Sequence, residues 1–244
     1  MQTEVKRNVK TSLQLPGKGG VYARYFKRPM DFILALIAII VLSPVLLIVG
    51  VLVRTKLGSP VIFKQKRPGL NEKIFTLYKF RTMTDERYEN GELLPDSIRL
   101  TKFGKFLRST SLDELPELFN ILIGDMSIVG PRPQLIRDMV FMTPEQRQRH
   151  SIVPGLTGWA QINGRNGVNW EKKLNLDLEY INNITFLRDW SIIFMTVAKV
   201  FKRDGISAEG METAEDFGDY LLRIGTIDEQ KYIEGLEKSK MIAS

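Results

Sequence analysis

Residues 32 to 53 read FILALIAIIVLSPVLLIVGVLV, an uncharged run. At about 22 residues it has the length needed to cross a hydrocarbon core of roughly 30 Å. Two features argue against a simple crossing. Ser43-Pro44 falls at its middle. Pro44 lacks a backbone donor and its ring crowds the carbonyl four residues earlier, while the Ser43 hydroxyl can bond back to a preceding carbonyl. Each half is then about 11 residues, roughly 16 Å, which reaches only the middle of a bilayer. Both flanks are also basic: Arg24, Lys27 and Arg28 before the run, and Arg54, Lys56, Lys64, Lys66 and Arg67 after it. Lysine and arginine collect on the cytoplasmic side, so a straight span would strand one cluster outside. A re-entrant helix–break–helix that enters and leaves by one face satisfies both. The stretch is not expected to be a signal peptide, because long polar sequence precedes it and no small-residue cleavage site follows.

The rest of the chain has the composition of a folded protein, 43% hydrophobic and 26% charged over 244 residues. A formal net charge of +7 favours an anionic partner, whether phosphorylated substrate, nucleic acid or anionic membrane. There is no cysteine, which excludes disulfides, thiolate metal sites and thiol nucleophiles. The single histidine, His150, lies in the polar run EQRQRH and is expected at the surface. Catalysis, if present, falls to a carboxylate, a hydroxyl or a lysine.

The expected fold class is mixed, helix-rich α/β. The divisions expected are a polar arm over 1–21, the membrane helix over 22–58, a catalytic domain over 59–205 and a helical extension over 206–244. PVIFKQKRPG and KIFTLYKFRTM predict short strands about a turn at Pro68 to Asn71, and residues 85–96 a polar loop. IRLTKFGKFLRS spaces Phe103, Phe106 and Leu107 at i, i+3, i+4 among Lys102, Lys105 and Arg108. That pattern suits a basic helix lying in a lipid interface. From Trp190 the pattern repeats, with Ile193, Phe194, Val197, Val200 and Phe201 on one side.

STSLDELPELFN, residues 109 to 120, sets Asp113 beside Glu114. Ser111 and Glu114 match a capping box, but that register puts Pro116 inside the helix, so the N-cap is expected at Asp113 or just beyond. The pair is then a helix cap, or a site. A helix N-terminus attracts phosphate, Arg108 lies five residues upstream, and Arg132 is held between prolines in GPRP. Two carboxylates can hold Mg²⁺, and an aspartate can attack a phosphoryl group. None of the common phosphate-loop, dinucleotide or hydrolase motifs occurs. The best remaining nucleotide segment is GLTGWAQINGRN, with Gly158, Gln161, Asn163, Gly164 and Arg165.

In their order, YFKRPMDFILALI, PVIFKQKRPG, FTLYKFRTM, STSLDELPELFNILIGDMSIVGPRP, GLTGWAQINGR and LDLEYINN with FLRDWSII closely resemble the bacterial sugar transferases. These are monotopic polyprenyl-phosphate phosphoglycosyl transferases. The resemblance covers about residues 22 to 205 and has the look of a minimal catalytic unit. It implies a re-entrant helix broken at Ser43-Pro44 at the cytoplasmic face of the bacterial inner membrane. It implies transfer of a phospho-sugar from a UDP-sugar to undecaprenyl phosphate, with UMP released and Mg²⁺ as cofactor. Asp113 would be the nucleophile and Glu114 the metal ligand. Arg108, Arg132, Lys79 and Arg81 match phosphate positions, and Asp125, Asp177 and Asp189 match supporting acidic ones. A homodimer is compatible with this; a nucleic-acid partner is not expected, and a membrane-anchored scaffold without activity is the competing reading. The donor sugar is not set by any of these motifs.

Overall fold

The computed structural model describes residues 20–164, 169–202 and 215–243. After a π-helical turn over Tyr22–Phe26, helix α1 runs Lys27–Lys56, about 45 Å at the α-helical rise. Ala35, Ala38, Ile39 and Leu42 pack against Phe75, Leu118 and Ile121. Further along, Val45, Leu46, Val49 and Val53 pack against Phe80 and Leu107. These positions recur at three- and four-residue spacing, so one stripe of α1 faces the body along its length. On the opposite face Ile33, Ile37, Ile40, Val41, Leu47 and Ile48 are each more than half exposed.

The expected interruption at Ser43-Pro44 is absent: helical structure continues through Pro44. The ring removes one backbone donor, but Ser43 Oγ donates to Ile40 O at 2.8 Å, so that turn keeps a local hydrogen bond. Packing of both halves on the same body also favours continuity.

Strands β1 (Ile62–Pro68) and β2 (Ile74–Phe80) pair antiparallel, from Ile62 opposite Phe80 to Pro68 opposite Ile74. Their turn places Asn71 at φ 50°, a left-handed conformation that asparagine tolerates. Lys64, Lys66 and Arg67 are therefore strand residues rather than a flank of the apolar helix. The basic amphipathic segment forms α2 (Asp96–Arg99) and α3 (Lys102–Ser109). Leu107 is fully buried, while Phe106 stays half exposed.

Helix α4 (Glu117–Ile123) packs on α1, and β3 (Ser127–Val129) follows it. The chain continues through α5 (Ile136–Met139) and α6 (Pro144–Arg147) to β4 (Gly155–Thr157), α7 (Trp159–Asn163) and α8 (Trp170–Asn182). β3 and β4 pair in parallel, Ser127 opposite Gly155 and Val129 opposite Thr157. Helix α9 (Phe186–Lys202) begins four residues before the expected Trp190. It buries Ile192 and exposes Phe194, Val197 and Val200. Helices α10 (Phe217–Arg223) and α11 (Glu229–Ala243) dock on α5. Phe217 N donates to Asp138 Oδ1 at 2.9 Å, and Tyr232 stacks on Phe141 with centroids 5.9 Å apart.

The expectation for His150 is corrected. It is buried, with Nδ1 3.7 Å from Glu72 Oε1. The polar neighbours that suggested a surface position include Arg147 and Arg149, whose guanidinium groups are themselves consumed by Glu72 and Asp177.

Candidate active site

The edge of β2 and the turn before α4 build the site together. Asn120 is fully buried on α4; it accepts from Tyr78 N at 3.0 Å and donates to Thr76 O at 2.7 Å. This latch fixes α4 against β2 and brings Lys79 to the carboxylates. Lys79 Nζ lies 2.9 Å from Glu114 Oε1 and 3.1 Å from Glu117 Oε1. Glu114 Oε1 also accepts from Arg132 Nη2.

Local backbone geometry puts Asp113 in place, but not as a cap. Ser111 adopts φ 56°, Leu112–Glu114 form a 3₁₀ turn, and Pro116 occupies the N-cap of α4 without any side-chain cap. The proline at the helix start needs no donor there, and Asp113 is released from the capping role expected of it.

Arg132 is held through its loop. The carbonyl of Pro131 accepts from Gly155 N at 2.9 Å, that of Arg132 from Arg149 Nη2 at 2.7 Å, and that of Pro133 from Arg67 Nη1 at 3.1 Å. Arg149 is buried and forks onto Asp177 Oδ2 at 3.0 and 2.6 Å. Asp177 therefore acts on the site through Arg149 and the Arg132 loop. On the far side, Gly104 lets α3 approach β2, since a Cβ there would sit 1.9 Å from Thr82 O. Arg108 Nε then donates to Thr82 Oγ1 at 3.1 Å.

These groups line a cavity of about 670 Å³. Its charged walls are Arg67, Lys79, Arg81, Arg99, Arg108 and Arg132 against Asp85, Asp113 and Glu114. The excess of cations suits a polyanion such as a nucleoside diphosphate.

The carboxylates differ sharply. Burial pushes Asp113 up to about 6, the neighbouring Glu114 charge adds to this, and Lys79, Arg132 and Arg108 oppose it. Burial also works against the charge on Glu114, but Arg132 and Lys79 outweigh it and hold the group well below the ordinary range. Glu117, buried beneath Lys79, is pushed up to about 7 by burial, with Lys79 opposing. Neighbouring carboxylates driven apart in this way carry different roles. The dyad fits a magnesium ion bound with a diphosphate, which uses one or two carboxylates and fills its remaining positions with phosphate and water. The like charge that raises Asp113 is what such a cation would relieve.

Other expected residues lie elsewhere. Asp189 takes Lys27 Nζ at 2.6 Å, Tyr22 Oη at 2.9 Å and Tyr180 Oη at 2.7 Å, fastening the start of α1 to α8 and α9. Asp125 follows α4 at the end opposite Pro116, separated from the dyad by the helix. The GLTGWAQING segment forms β4 and α7, not an open loop, and does not line the cavity. Gly158 is required by packing, since a Cβ would meet Gly130 O at 2.1 Å. Gln161 Nε2 and Asn163 Nδ2 donate to the carbonyls of Leu156 and Trp159. Gly164 follows α7, and Arg165 falls outside the described residues.

Glu117, Arg67 and Arg149 were not anticipated in the site. Glu117 stands one helical turn after Glu114, a spacing that could have flagged it. Arg149 carries no such signal, because its partner Asp177 is 28 residues distant.

A family model described as bacterial sugar transferase matches residues 22–203. The chain is 52% identical over 191 residues to an uncharacterized sugar transferase, EpsL, of Bacillus subtilis, covering 78% of this chain and 95% of that protein. It is 42% identical to the UDP-glucose:undecaprenyl-phosphate glucose-1-phosphate transferase of Klebsiella pneumoniae, over 72% of this chain and 40% of the relative. Against the undecaprenyl-phosphate galactose phosphotransferase of Salmonella typhimurium the identity is 34%, over 75% of this chain and 42% of the relative.

Proposed function

We infer the reaction from one premise: the chain belongs to the bacterial sugar transferase family. The protein transfers a sugar 1-phosphate from a UDP-sugar to undecaprenyl phosphate and releases UMP. The observation that carries this reading is a buried aspartate, Asp113, in a cation-lined cavity beside a long apolar helix.

In the first half-reaction an oxygen of the Asp113 carboxylate attacks the sugar-bearing phosphorus of the donor. A P–O bond to it forms, the bond to the bridging oxygen breaks, and UMP leaves with the electron pair. In the second half-reaction an oxygen of the lipid phosphate attacks the same phosphorus and restores the Asp113 carboxylate. Both steps concentrate negative charge, which Lys79, Arg108 and Arg132 are positioned to stabilise without reorganising. Glu114 stays ionised throughout and keeps Lys79 and Arg132 in place. Glu114, with Asp113 beside it, would hold Mg²⁺, which when bound screens the diphosphate charge.

The membrane arrangement follows from α1. Its first half packs on Phe75 and Leu118 and its second on Phe80 and Leu107, so both halves are fastened to one body. A straight span would carry its far end out of reach of that body. The helix therefore lies along the cytoplasmic face of the inner membrane without crossing it, its exposed apolar side in lipid, with the outward face of α9 contributing to the same surface.

Detergent-purified protein incubated with a panel of UDP-sugars, Mg²⁺ and polyprenyl phosphate tests this. Lipid-dependent UMP release with at least one donor is expected. Its absence across the panel would leave the protein as a membrane-bound scaffold.

A further inference from the structure

Arg67 stands in an unusual electrostatic position. It projects from β1 into the cavity wall, yet no carboxylate ion-pairs with it among the described residues. Its two hydrogen bonds go to neutral acceptors, Nη1 to Pro133 O at 3.1 Å and Nη2 to Gln65 Oε1 at 2.7 Å. Its Nε is buried without a partner. A cation partly withdrawn from water is ordinarily paired. Here burial, and after it the charge of a second cation, Arg132, pull the Arg67 guanidinium down to about 10, with Asp138, Glu117 and Glu114 opposing from a distance. Asp138, which could have compensated it, is committed to the amides of Leu135 and Phe217.

The position within the cavity is informative too. The charges that bear on Asp113 are Glu114, Lys79, Arg132 and Arg108. Those that bear on Arg67 are Arg132, Asp138, Glu117 and Glu114. Contacts supply the order: Arg132 Nη2 donates to Glu114, next to Asp113, and Arg67 Nη1 donates to the carbonyl of Pro133, next to Arg132. A diphosphate laid across Arg132 with its sugar-bearing phosphorus at Asp113 directs its nucleoside phosphate towards Arg67.

We propose that Arg67 is a binding residue for the nucleoside-side phosphate of the donor, and that with Arg132 it clamps the group that departs as UMP. The inference rests on the reaction proposed above. When the bridging P–O bond breaks, the departing phosphate gains one negative charge, and a guanidinium without a direct ion pair among the described residues answers it. The pairing left open within the protein is completed by the substrate.

The test is kinetic and uses the full chain in detergent or nanodiscs. In a two-step exchange through a covalent intermediate, kcat/KM for each substrate reports only its own half-reaction. R67Q should lower kcat/KM for the UDP-sugar by about 10- to 100-fold, the usual range for losing a charge-assisted hydrogen bond. It should weaken product inhibition by UMP to a similar degree, and because the lipid phosphate attacks in line from the position UMP leaves, kcat/KM for polyprenyl phosphate should fall as well. R67K keeps the charge without the fork and should fall between. Lost activity with unchanged inhibition by UMP would mean that Arg67 merely props the Pro133 carbonyl, and would overturn the proposal; so would no loss at all. If the wild type releases no UMP from any donor, the reaction itself is refuted, and UDP binding then decides the clamp. UDP raising the melting temperature of the wild type and of R67K, but not of R67Q, would uphold it. Equal shifts in all three would refute it.

Discussion

The acid limb of the first half-reaction is set by Asp113, with Glu117 titrating beside it beneath Lys79. Burial and Glu114 raise that carboxyl to about 6, so its ionised fraction is about 0.9 at pH 7 and about 0.1 at pH 5. UMP release in a single turnover without lipid should therefore slow about ten-fold between those pH values. Omitting the lipid removes its titrating phosphate monoester, and the diphosphate of a UDP-sugar loses no proton in this range. Rapid-quench measurement of UMP from pH 5 to 8 gives the limb directly. Two variants fix its origin. Lys79 lowers the Asp113 pKa, so Lys79→Met should move the limb to higher pH; Glu114 raises it, so Glu114→Gln should move it to lower pH. A flat profile, or shifts of the opposite sign, would refute the assignment of Asp113 as the nucleophile.

The same pKa makes a statement about stability. A carboxyl raised from 3.8 to about 6 on folding opposes folding when ionised. The penalty is absent below the unfolded-state value, grows as pH rises towards the folded-state one, and is complete above it. Its upper bound is about 3 kcal/mol at 1.36 kcal/mol per unit.

Asp113→Asn should therefore melt higher than wild type at pH 8, with the gain vanishing near pH 4, while UMP release falls by orders of magnitude. Glu114→Gln should also lose turnover, but raised Mg²⁺ should restore part of it and should do nothing for Asp113→Asn. Asp177→Asn leaves Arg149 buried without its partner, at a cost of about 3–5 kcal/mol; a melting curve should show it, and activity should fall as the Arg132 loop loosens. Cysteines placed at Lys10 and Asn90 of this cysteine-free chain should react alike with a membrane-impermeant thiol reagent in intact cells. Labelling of one alone would establish a true span.

What the sequence disclosed, and what it withheld, divides along physical lines. Strands β1 and β2 were legible because alternation and Pro-Gly punctuation are local signals. The apolar run was legible for the same reason, but its continuity through Pro44 was not. That depends on the packing of both halves against Phe75, Phe80, Leu107, Leu118 and Ile121, all distant in sequence, which no proline rule contains. Asp113 and Glu114 were legible as a pair, whereas the cap was misplaced because the left-handed Ser111 and the 3₁₀ turn arise from tertiary fit. His150 was misread because exposure was inferred from charged neighbours. Those neighbours are ion-paired with Glu72 and Asp177, distant in sequence. GLTG reads as the start of a nucleotide-binding segment, yet Gly155 and Gly158 let β4 approach Gly130.

One logic connects these residues. Glu114 bonds both Lys79 and Arg132 in the resting site, so both cations are fixed before substrate arrives and their ordering entropy is met during folding. Because Glu114 is held ionised, it cannot take up the proton that the crowded carboxylates would otherwise share, and protonation falls on Asp113 and Glu117 instead. Glu117 is out of reach beneath Lys79, with its side chain 2% exposed, which leaves Asp113 as the titrating carboxylate that faces the cavity. The site thus separates a permanently charged scaffold from a single adjustable nucleophile. Arg67 is the cation this internal balance leaves over. A site complete without substrate would have supplied it with a carboxylate. The cavity instead keeps this positive charge beside the Arg132 loop, where its guanidinium meets the negative charge that builds up as the departing group separates.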